Sequence, residues 1–357
     1  MTTVCITGMH RSGTSLLARI ANLLGVHLGG EDHHLAANPA NPTGYWEHRG
    51  IVRVNNEVLA RLGGDWAGPP HLPPGWEHDP DLEPLRCDAR RELEQLQPAA
   101  PVVGFKDPRA CLTLPFWQQL TEIDHVVACV RPPLAVARSL ERRNGLAEGH
   151  VAALYSRYVS TLIAQAPALV VVDYHALMGG SRPFVANLAE QLGLPAPSDQ
   201  TMQSIAGFVR PDLDRAGSSA PNGAGSPELH FAREVHARIA DLPDSRPWFE
   251  AVAGTLNEAA ASDGRAPGGV GARVTRLAAV TAELETERRS RAELQARQVD
   301  LDRELTDLRR EQARLRRAHE RLRTRRSVRV ALAVAALARP LVRSLRAVRW
   351  ALRSRRG

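Results

Sequence analysis

A glycine-bounded loop between an apolar strand and an amphipathic helix constrains this chain more than any other feature. The run Thr3–Thr7 has the β-branched, apolar character of a buried strand, and the apolar residues of Ser15–Val26 recur at helical spacing. Between them lies Gly8–Ser15, with the sequence GMHRSGTS. Backbone N–H groups of such a loop, with the positive end of the next helix, form a concave site for an anion. This stretch therefore predicts a strand, an anion-binding loop and a helix.

The spacing of this loop decides which class of nucleotide enzyme is favoured. It matches the Walker A pattern G-x-x-x-x-G-K-[ST] at both glycines and at Ser15, but Thr14 stands where that pattern has lysine. A P-loop kinase uses this lysine on the phosphates of its nucleotide. The cation of the present loop, Arg11, comes earlier in the loop. A small-molecule kinase is therefore an alternative and not the favoured interpretation.

Three further apolar runs have the length of strands: Val102–Phe105, His125–Val130 and Leu169–Val172. Stretches with helical character separate or follow them: Ile51–Leu62, Leu82–Leu96, Leu134–Arg143, His150–Ala166 and Pro183–Leu192. Beyond these, the segment Thr201–Phe208 and two predicted helices, Pro227–Leu242 and Arg246–Ala261, are expected to close the domain. Buried strands that alternate with helices predict an α/β fold, with a P-loop-like parallel sheet flanked by helices.

Two short motifs follow predicted strands of this sheet: Arg11–Ser15 and Arg131–Ser139. The first, RSGTS, resembles the 5′-phosphosulfate loop of PAPS-dependent sulfotransferases, in the bacterial and carbohydrate-modifying branch where arginine replaces lysine. The second resembles the 3′-phosphate motif of that family, in which an arginine at the strand end and a serine eight residues later hold the phosphate. This chain has Pro132 where the family commonly has asparagine.

The resemblance implies an enzyme that transfers a sulfuryl group from PAPS to a hydroxyl acceptor and releases PAP, without a metal. Arginine forks onto phosphate oxygens and a serine hydroxyl donates to them, so the residue types suit the role. The implied donor-binding residues are Arg11, Ser12, Gly13, Thr14 and Ser15 for the 5′-phosphosulfate, and Arg131 and Ser139 for the 3′-phosphate.

A carboxylate is the favoured general base. The segment Asn41–Glu47, NPTGYWE, resembles the N-P-x-G-aromatic-aromatic-E segment of bacterial sulfotransferases, and the resemblance implies that Glu47 takes the proton of the acceptor hydroxyl. The alternative role for Glu47 is that of an ion-paired carboxylate at the start of a helix. His33 and His34 are competing bases, in a predicted loop.

One lysine, Lys106, occurs beside 45 arginines. It follows the strand Val102–Phe105, so we expect it at the carboxyl end of the sheet, where open α/β folds bind ligands. The hypothesis is that its ammonium contacts the transferring sulfonate or the acceptor, positioned by Asp107 and Arg109. An ion-paired structural turn is the alternative.

Charge and periodicity divide the rest of the chain. Residues 321–357 contain twelve arginines and no acid, so removing them from the net charge of +7 leaves −5 on residues 1–320, which argues against nucleic-acid binding by the main domain. From 277 to 322, nine of fourteen heptad seam positions are apolar, which predicts a coiled coil with a second copy or a partner helix. A lone solvated helix is the alternative.

These features give the predicted domains. They are a catalytic domain over 1–262, a linker over 263–271, a coiled coil over 272–325 and a basic amphipathic segment over 326–357. The stretch 216–226, AGSSAPNGAGS, is predicted to be a loop within the first domain.

The basic segment indicates where the enzyme works. After Pro340, leucine and valine recur on one helical side with arginines off it, which suits an anionic membrane surface; a disordered cationic tail and a nucleic-acid patch are the alternatives. No leader of secretory type precedes Gly8, and the four cysteines show no C-x-x-C spacing. We therefore expect a cytoplasmic protein, peripheral at the inner face of the membrane. A coiled coil followed by an arginine-rich amphipathic segment resembles the C-terminal parts of some bacterial cell-surface polysaccharide enzymes, and this resemblance implies that the acceptor is a glycan or lipid-linked envelope precursor. A membrane scaffold with an inactive nucleotide site is the alternative from another functional class.

Overall fold

Four parallel strands in the order β2-β1-β3-β4 form the sheet of the chain in a computed structural model. They are β1 (Thr2–Thr7), β2 (Val102–Lys106), β3 (His125–Val130) and β4 (Leu169–Asp173). Each predicted strand is present, with ends shifted by one residue at most. The predicted α/β class with a parallel sheet flanked by helices is confirmed.

The structure describes residues 1–38, 41, 44–96, 100–209, 225–242, 244–262, 290, 293–294, 297–298, 300–321 and 326–353. These belong to two units, Met1–Ala282 and Glu283–Gly357. The predicted linker 263–271 and most of the predicted loop 216–226 lie outside the described residues. The domain boundary at residue 262 stays a prediction.

Eleven α-helices are described in the first unit. They are α1 (Thr14–Leu24), α2 (Arg49–Arg61), α3 (Glu83–Leu96), α4 (Ala110–Gln118), α5 (Pro133–Asn144), α6 (Glu148–Gln165), α7 (Tyr174–Gly179), α8 (Arg182–Gln191), α9 (Asp199–Phe208), α10 (Pro227–Arg238) and α11 (Arg246–Ser262). The sequence prediction missed α4 and α7, and it assigned no element type to Thr201–Phe208, which belongs to α9. Seven of the nine residues of α4 are buried and Pro115 lies inside it, so it has no polar side to create a helical period.

Helices cover both faces of the sheet. Alternate residues of a strand point to opposite faces, and in β1 the side chains of Val4 and Ile6 pack in one cluster with α1. Thr7 points the other way, and its Oγ1 lies 3.2 Å from Sγ of Cys111 in α4. On that second face α6 packs against α4, α5, α10 and α11.

The strand order places a crevice between β1 and β3. The chain leaves β1 toward β2 on one side and leaves β3 toward β4 on the other, so the loops after β1 and β3 part from each other. Open α/β sheets bind ligands at such a point, beyond the carboxyl ends of the strands. The loop Gly8–Gly13 and Arg131 lie at these two ends.

The second unit is helical where it is described. Residues 300–321 are helical, and one further helix spans Arg326–Arg353 and includes Pro340. The helix thus begins before Pro340 and continues past it. No helix in the described part of the chain has both the length and the apolarity to cross a membrane.

Gly13 provides a test of how tightly the loop packs. An added Cβ would lie 2.6 Å from the Tyr174 ring, and the φ angle is +102°. Gly63 has a comparable φ of +89° but no atom within 4 Å of the added Cβ. We expect Gly63→Ala to cost about 1–2 kcal/mol, the backbone penalty alone, and Gly13→Ala to cost about 1–3 kcal/mol more because the ring must move. Urea unfolding of both variants measures the difference; equal losses would contradict the close packing.

Candidate active site

The loop after β1 has an unusual backbone. Arg11 is one of two described non-glycine residues with a positive φ, at 67°, and Gly8 and Gly13 also have positive φ angles. A non-glycine residue in this region costs roughly 1–3 kcal/mol, and such strain concentrates at ligand sites. At Gly8 an added Cβ would lie 2.4 Å from the carbonyl oxygen of Cys129, so the loop sits directly against β3.

Buried hydrogen bonds fix this loop. The Ser12 hydroxyl donates to the Met9 carbonyl at 2.6 Å, and the Cys129 thiol donates to the Ser12 carbonyl at 2.9 Å. Burial raises the pKa of Cys129, so the thiol remains protonated and can donate. Ser12 therefore contributes to the loop through its internal bonds, and its side chain does not line the adjoining cleft.

The two arginine–serine motifs meet in space. Nε of Arg11 donates to Oγ of Ser139 at 3.0 Å, and Nη1 of Arg131 donates to the carbonyl oxygen of Arg11 at 3.3 Å. Burial and the neighbouring Arg143 lower the pKa of Arg11. Positive groups from β1 and β3 are thus gathered at the crevice of the sheet.

Tyr174 is a site residue that the sequence prediction missed. Its ring lies under the Arg131 guanidinium, with 4.1 Å between the guanidinium carbon and the ring centroid. It opens α7, where Asp173 caps the helix by accepting from the N–H groups of His175 and Ala176. The signal was present, because Tyr174 comes two residues after the predicted strand Leu169–Val172 and was therefore to be expected at the carboxyl end of the sheet.

Lys106 and Glu47 form a buried ion pair through Nζ and Oε1. The lysine side chain is 1% exposed and the glutamate side chain 8%. Nζ of Lys106 also donates to the Tyr45 carbonyl at 3.2 Å and approaches Oγ of Ser15 at 3.5 Å. The only lysine of the sequence therefore joins the end of β2 to the first helix and to the segment that carries Glu47.

The segment before Glu47 is anchored to the loop. Nδ2 of Asn41 donates to Oγ of Ser15 at 3.1 Å and to the Gly44 carbonyl at 2.6 Å. Trp46 has a positive φ of 56°, which turns the chain between Tyr45 and Glu47. Glu47 in turn precedes α2, so a strained turn presents its carboxylate to Lys106.

Asp107 and Arg109 pair with each other. Oδ1 of Asp107 accepts from the backbone N–H of Arg109 at 2.8 Å and from its Nη1 at 3.0 Å. Asp107 is fully buried, and its backbone carbonyl accepts from the Thr7 hydroxyl at 2.9 Å. These two residues brace the end of β2 next to Lys106, whose side-chain partner is Glu47.

His33 and His34 do not line the cleft beside Lys106 and Glu47. Nε2 of His34 lies 2.9 Å from the Leu28 carbonyl, and the His33 ring stacks on that of His48 with centroids 5.2 Å apart. Burial, with His33 and His34 as neighbouring groups, lowers the pKa of His48 to about 4. These rings support the segment next to Glu47.

A cleft with a volume of about 150 Å³ opens beside these groups. Its charged lining consists of four cations and one carboxylate: Arg11, Lys106, Arg131, Arg143 and Glu47. The other lining residues are His10, Gly13, Thr14, Ser15, Leu16, Asn41, Tyr45, Pro108, Tyr174, Met178 and Phe208. Such a cleft is suited to an anionic ligand. Among the described residues, no group of three or more His, Cys, Asp and Glu side chains is placed to hold a metal ion.

His10 is a second cleft residue that sequence reasoning missed. Its ring packs against Trp66 and Tyr158, with centroids 4.6 Å and 5.7 Å away. Burial and the cations Arg109 and Lys106 lower the pKa of His10 well below its usual value. The imidazole is therefore neutral, and it adds no charge to the cleft.

Comparison with known proteins gives similarities of fold only. No family model and no curated protein matches the chain. The sulfotransferase domain of the Synechococcus olefin synthase is 16% identical, with 66% of this chain and 94% of that one covered, at a TM-score of 0.39. A sulfotransferase from Mycobacterium tuberculosis is 18% identical (66% and 76% covered, TM-score 0.39). Another, from Mycobacterium avium, is 13% identical (68% and 76% covered, TM-score 0.40). Sequence identities and TM-scores this low support no conclusion about function. A conclusion about function depends on the geometry of the site itself.

The buried ion pair can be tested by stability. Lys106→Met or Glu47→Leu alone leaves an uncompensated buried charge, and we expect each to lower the free energy of unfolding by about 3–5 kcal/mol. The double variant removes both charges and is expected to recover most of that loss. The control Glu57→Gln removes one partner of an exposed pair with Arg53, and we expect it to cost less than about 1 kcal/mol. Urea unfolding of the set gives the coupling energy; additive losses would show that the two groups do not interact.

Proposed function

We propose that residues 1–262 form a sulfotransferase that moves a sulfuryl group from PAPS to a hydroxyl of an acceptor. One observation carries the proposal: the Arg11 loop and Arg131 line a single cleft that has four cations and one carboxylate, and Ser139, which does not itself line the cleft, accepts a hydrogen bond from Arg11. A 3′-phosphate carries a charge of about −1.5 to −2 at neutral pH, and a phosphosulfate adds more. The charge of the cleft suits a ligand with an anionic group at each end.

Arg131 and Ser139 are the proposed ligands of the 3′-phosphate. The guanidinium of Arg131 lies over the Tyr174 ring at the cleft, and its N–H groups are the kind of forked donor that phosphate oxygens accept from. Ser139 is 5% exposed and accepts from Arg11, so its hydroxyl proton is directed elsewhere and can point to a phosphate oxygen. Arg11 is thereby linked to both ends of the proposed donor site.

The loop residues Arg11, Ser12, Gly13, Thr14 and Ser15 are the proposed cradle of the 5′-phosphosulfate. The positive φ angles of Arg11 and Gly13 shape the backbone just before α1, and the N-terminus of that helix favours negative charge. In the transfer, the bond from sulfur to the bridging oxygen of PAP breaks as the acceptor oxygen bonds to sulfur. Arg11 is the proposed group that balances charge on the bridging oxygen.

Glu47 is the proposed base, and Lys106 is the residue that we propose holds its carboxylate in position. While the ion pair is intact, Lys106 holds the carboxylate in place at the cleft. An arriving sulfonate offers the ammonium a second anionic partner, so Lys106 can stabilise the transferring group while Glu47 accepts the proton of the acceptor hydroxyl. The proposed chemistry depends on positioning and electrostatics and involves no metal.

Selective binding of PAP over ADP tests the donor site. In isothermal titration of the full chain we expect PAP to bind at least about tenfold more tightly than ADP, a difference of about 1.4 kcal/mol. Arg131→Ala is expected to abolish that preference, because ADP lacks the 3′-phosphate. Arg91→Ala removes an exposed arginine of α3 outside the cleft and is the control that should keep it.

The other outcomes point to the alternatives. Equal affinity for PAP and ADP would contradict the sulfotransferase proposal and favour a P-loop kinase. Binding of neither would favour a scaffold with an inactive nucleotide site.

We also propose that the segment 272–325 joins the chain to a second copy or to a partner helix as a coiled coil. The support is a row of exposed leucines in the described helical residues 300–321: Leu301, Leu305, Leu308 and Leu315. They follow the heptad seam of the sequence, and exposed leucines of this spacing are stabilised by a facing helix.

The acceptor is proposed to be a glycan or envelope precursor at the inner face of the membrane.

Light scattering tests self-association through this seam. We expect the full chain to have a mass that is a multiple of 39.0 kDa. Leu305→Asp with Leu308→Asp places charges in the seam and should give the monomer mass. Thr306→Asp with Ala313→Asp adds the same charge off the seam and should leave the mass unchanged. A monomeric wild-type chain would leave only the partner-helix form of the proposal.

A further inference from the structure

The helix Arg326–Arg353 carries a narrow apolar stripe along one side. With successive residues about 100° apart, Val330, Val334, Leu337 and Leu345 fall within an arc of about 80°. All four side chains are exposed, from 59% at Val334 to 72% at Leu337. We call these four residues the apolar stripe. Within the described part of the chain, nothing covers it.

The basic residues lie on the other side of the same helix. Their average direction is about 160° from the apolar stripe. These exposed arginines are Arg329, Arg339, Arg343, Arg346 and Arg349. No aspartate or glutamate occurs anywhere in 321–357, so no acidic group of this segment offsets their charge. We call these five residues the arginine side.

The stripe is continuous because the helix does not stop at Pro340. Leu337 precedes the proline and Leu345 follows it, and the two share one side of the helix. A helix of this length extends about 42 Å. The apolar stripe and the arginine side both run along most of this length.

This division of apolar and basic residues argues against several possible surroundings of the helix. Arginines spaced through the helix make burial of the whole helix in hydrocarbon costly. A second copy of the helix packed on the stripe would bring two strongly positive helices together without an acidic partner. A nucleic acid would pair with the arginine side and leave the stripe in water. A surface with negative charge directly above apolar material accommodates both sides at once.

We propose that the helix Arg326–Arg353 is a membrane-binding element that lies in the plane of an anionic bilayer, with the apolar stripe among the acyl chains and the arginine side among acidic headgroups. Helices with this division of residues bind at the boundary between headgroups and acyl chains. The attraction of arginines to acidic lipids falls off within a Debye length, so it weakens as salt is added. This inference concerns the second unit alone and holds whether or not the first unit binds PAP.

Vesicle flotation of the full chain tests the proposal. We expect flotation with vesicles of phosphatidylcholine plus phosphatidylserine, little with phosphatidylcholine alone, and a decrease as salt is raised. Arg343→Gln with Arg346→Gln should weaken binding about thirtyfold, since each arginine near such a surface contributes about fivefold. Leu337→Ser with Leu345→Ser should weaken it at least about tenfold.

A matched control separates the stripe from general loss of apolar residues. Leu332 and Val342 are also exposed but fall outside the stripe, so Leu332→Ser with Val342→Ser should leave flotation within about threefold of wild type. Equal losses in the stripe and control variants, or flotation that survives deletion of 326–357, would overturn the proposal. So would binding to duplex DNA in place of vesicles, unaffected by the leucine substitutions. PAP affinity of each variant is measured alongside and is expected to equal that of wild type.

Discussion

The close approach of the loop after β1 to β3 and α7 is the constraint on which the candidate site depends. Gly8 lies against the Cys129 carbonyl and Gly13 against the Tyr174 ring, where an added Cβ would find no room. Because the loop is held so closely, its polar backbone reaches the end of β3, and Arg131 can donate to the Arg11 carbonyl. The close packing therefore places cations from the ends of two neighbouring strands in one crevice. If the loops were held apart, the same cations would lie in water.

Buried carboxylates, which are not proposed to bind the donor, stabilise the concentration of positive charges at the site. Glu47 compensates Lys106 within the cleft, and Asp107 compensates Arg109 beside it. Aromatic rings and neutral groups complete the lining, and His10 stays uncharged because burial and nearby cations disfavour its protonated form. The cleft thus keeps a surplus of positive charge, which is the property that an anionic donor requires.

The two units of the chain carry different physical chemistry. The first encloses its apolar residues around a parallel sheet, whereas the described helices of the second keep leucines and valines exposed. Exposed rows of this kind find apolar partners outside their own helix. A facing helix and a membrane surface are two such partners, and in the proposed function they would bring an enzyme with a soluble donor close to acceptors held at a bilayer.

The sequence by itself determined the strands, the loop between β1 and α1 and the residue types of the candidate site, because apolar runs and glycine spacing are local properties. It also determined that Arg131 and Lys106 would lie at the carboxyl end of the sheet. Only the tertiary structure decided that Lys106 pairs with Glu47 and that Arg11 reaches Ser139, since these contacts join residues 59 and 128 positions apart. The buried helix α4, without a polar side, and the role of Tyr174 likewise depended on neighbours that no local pattern contains.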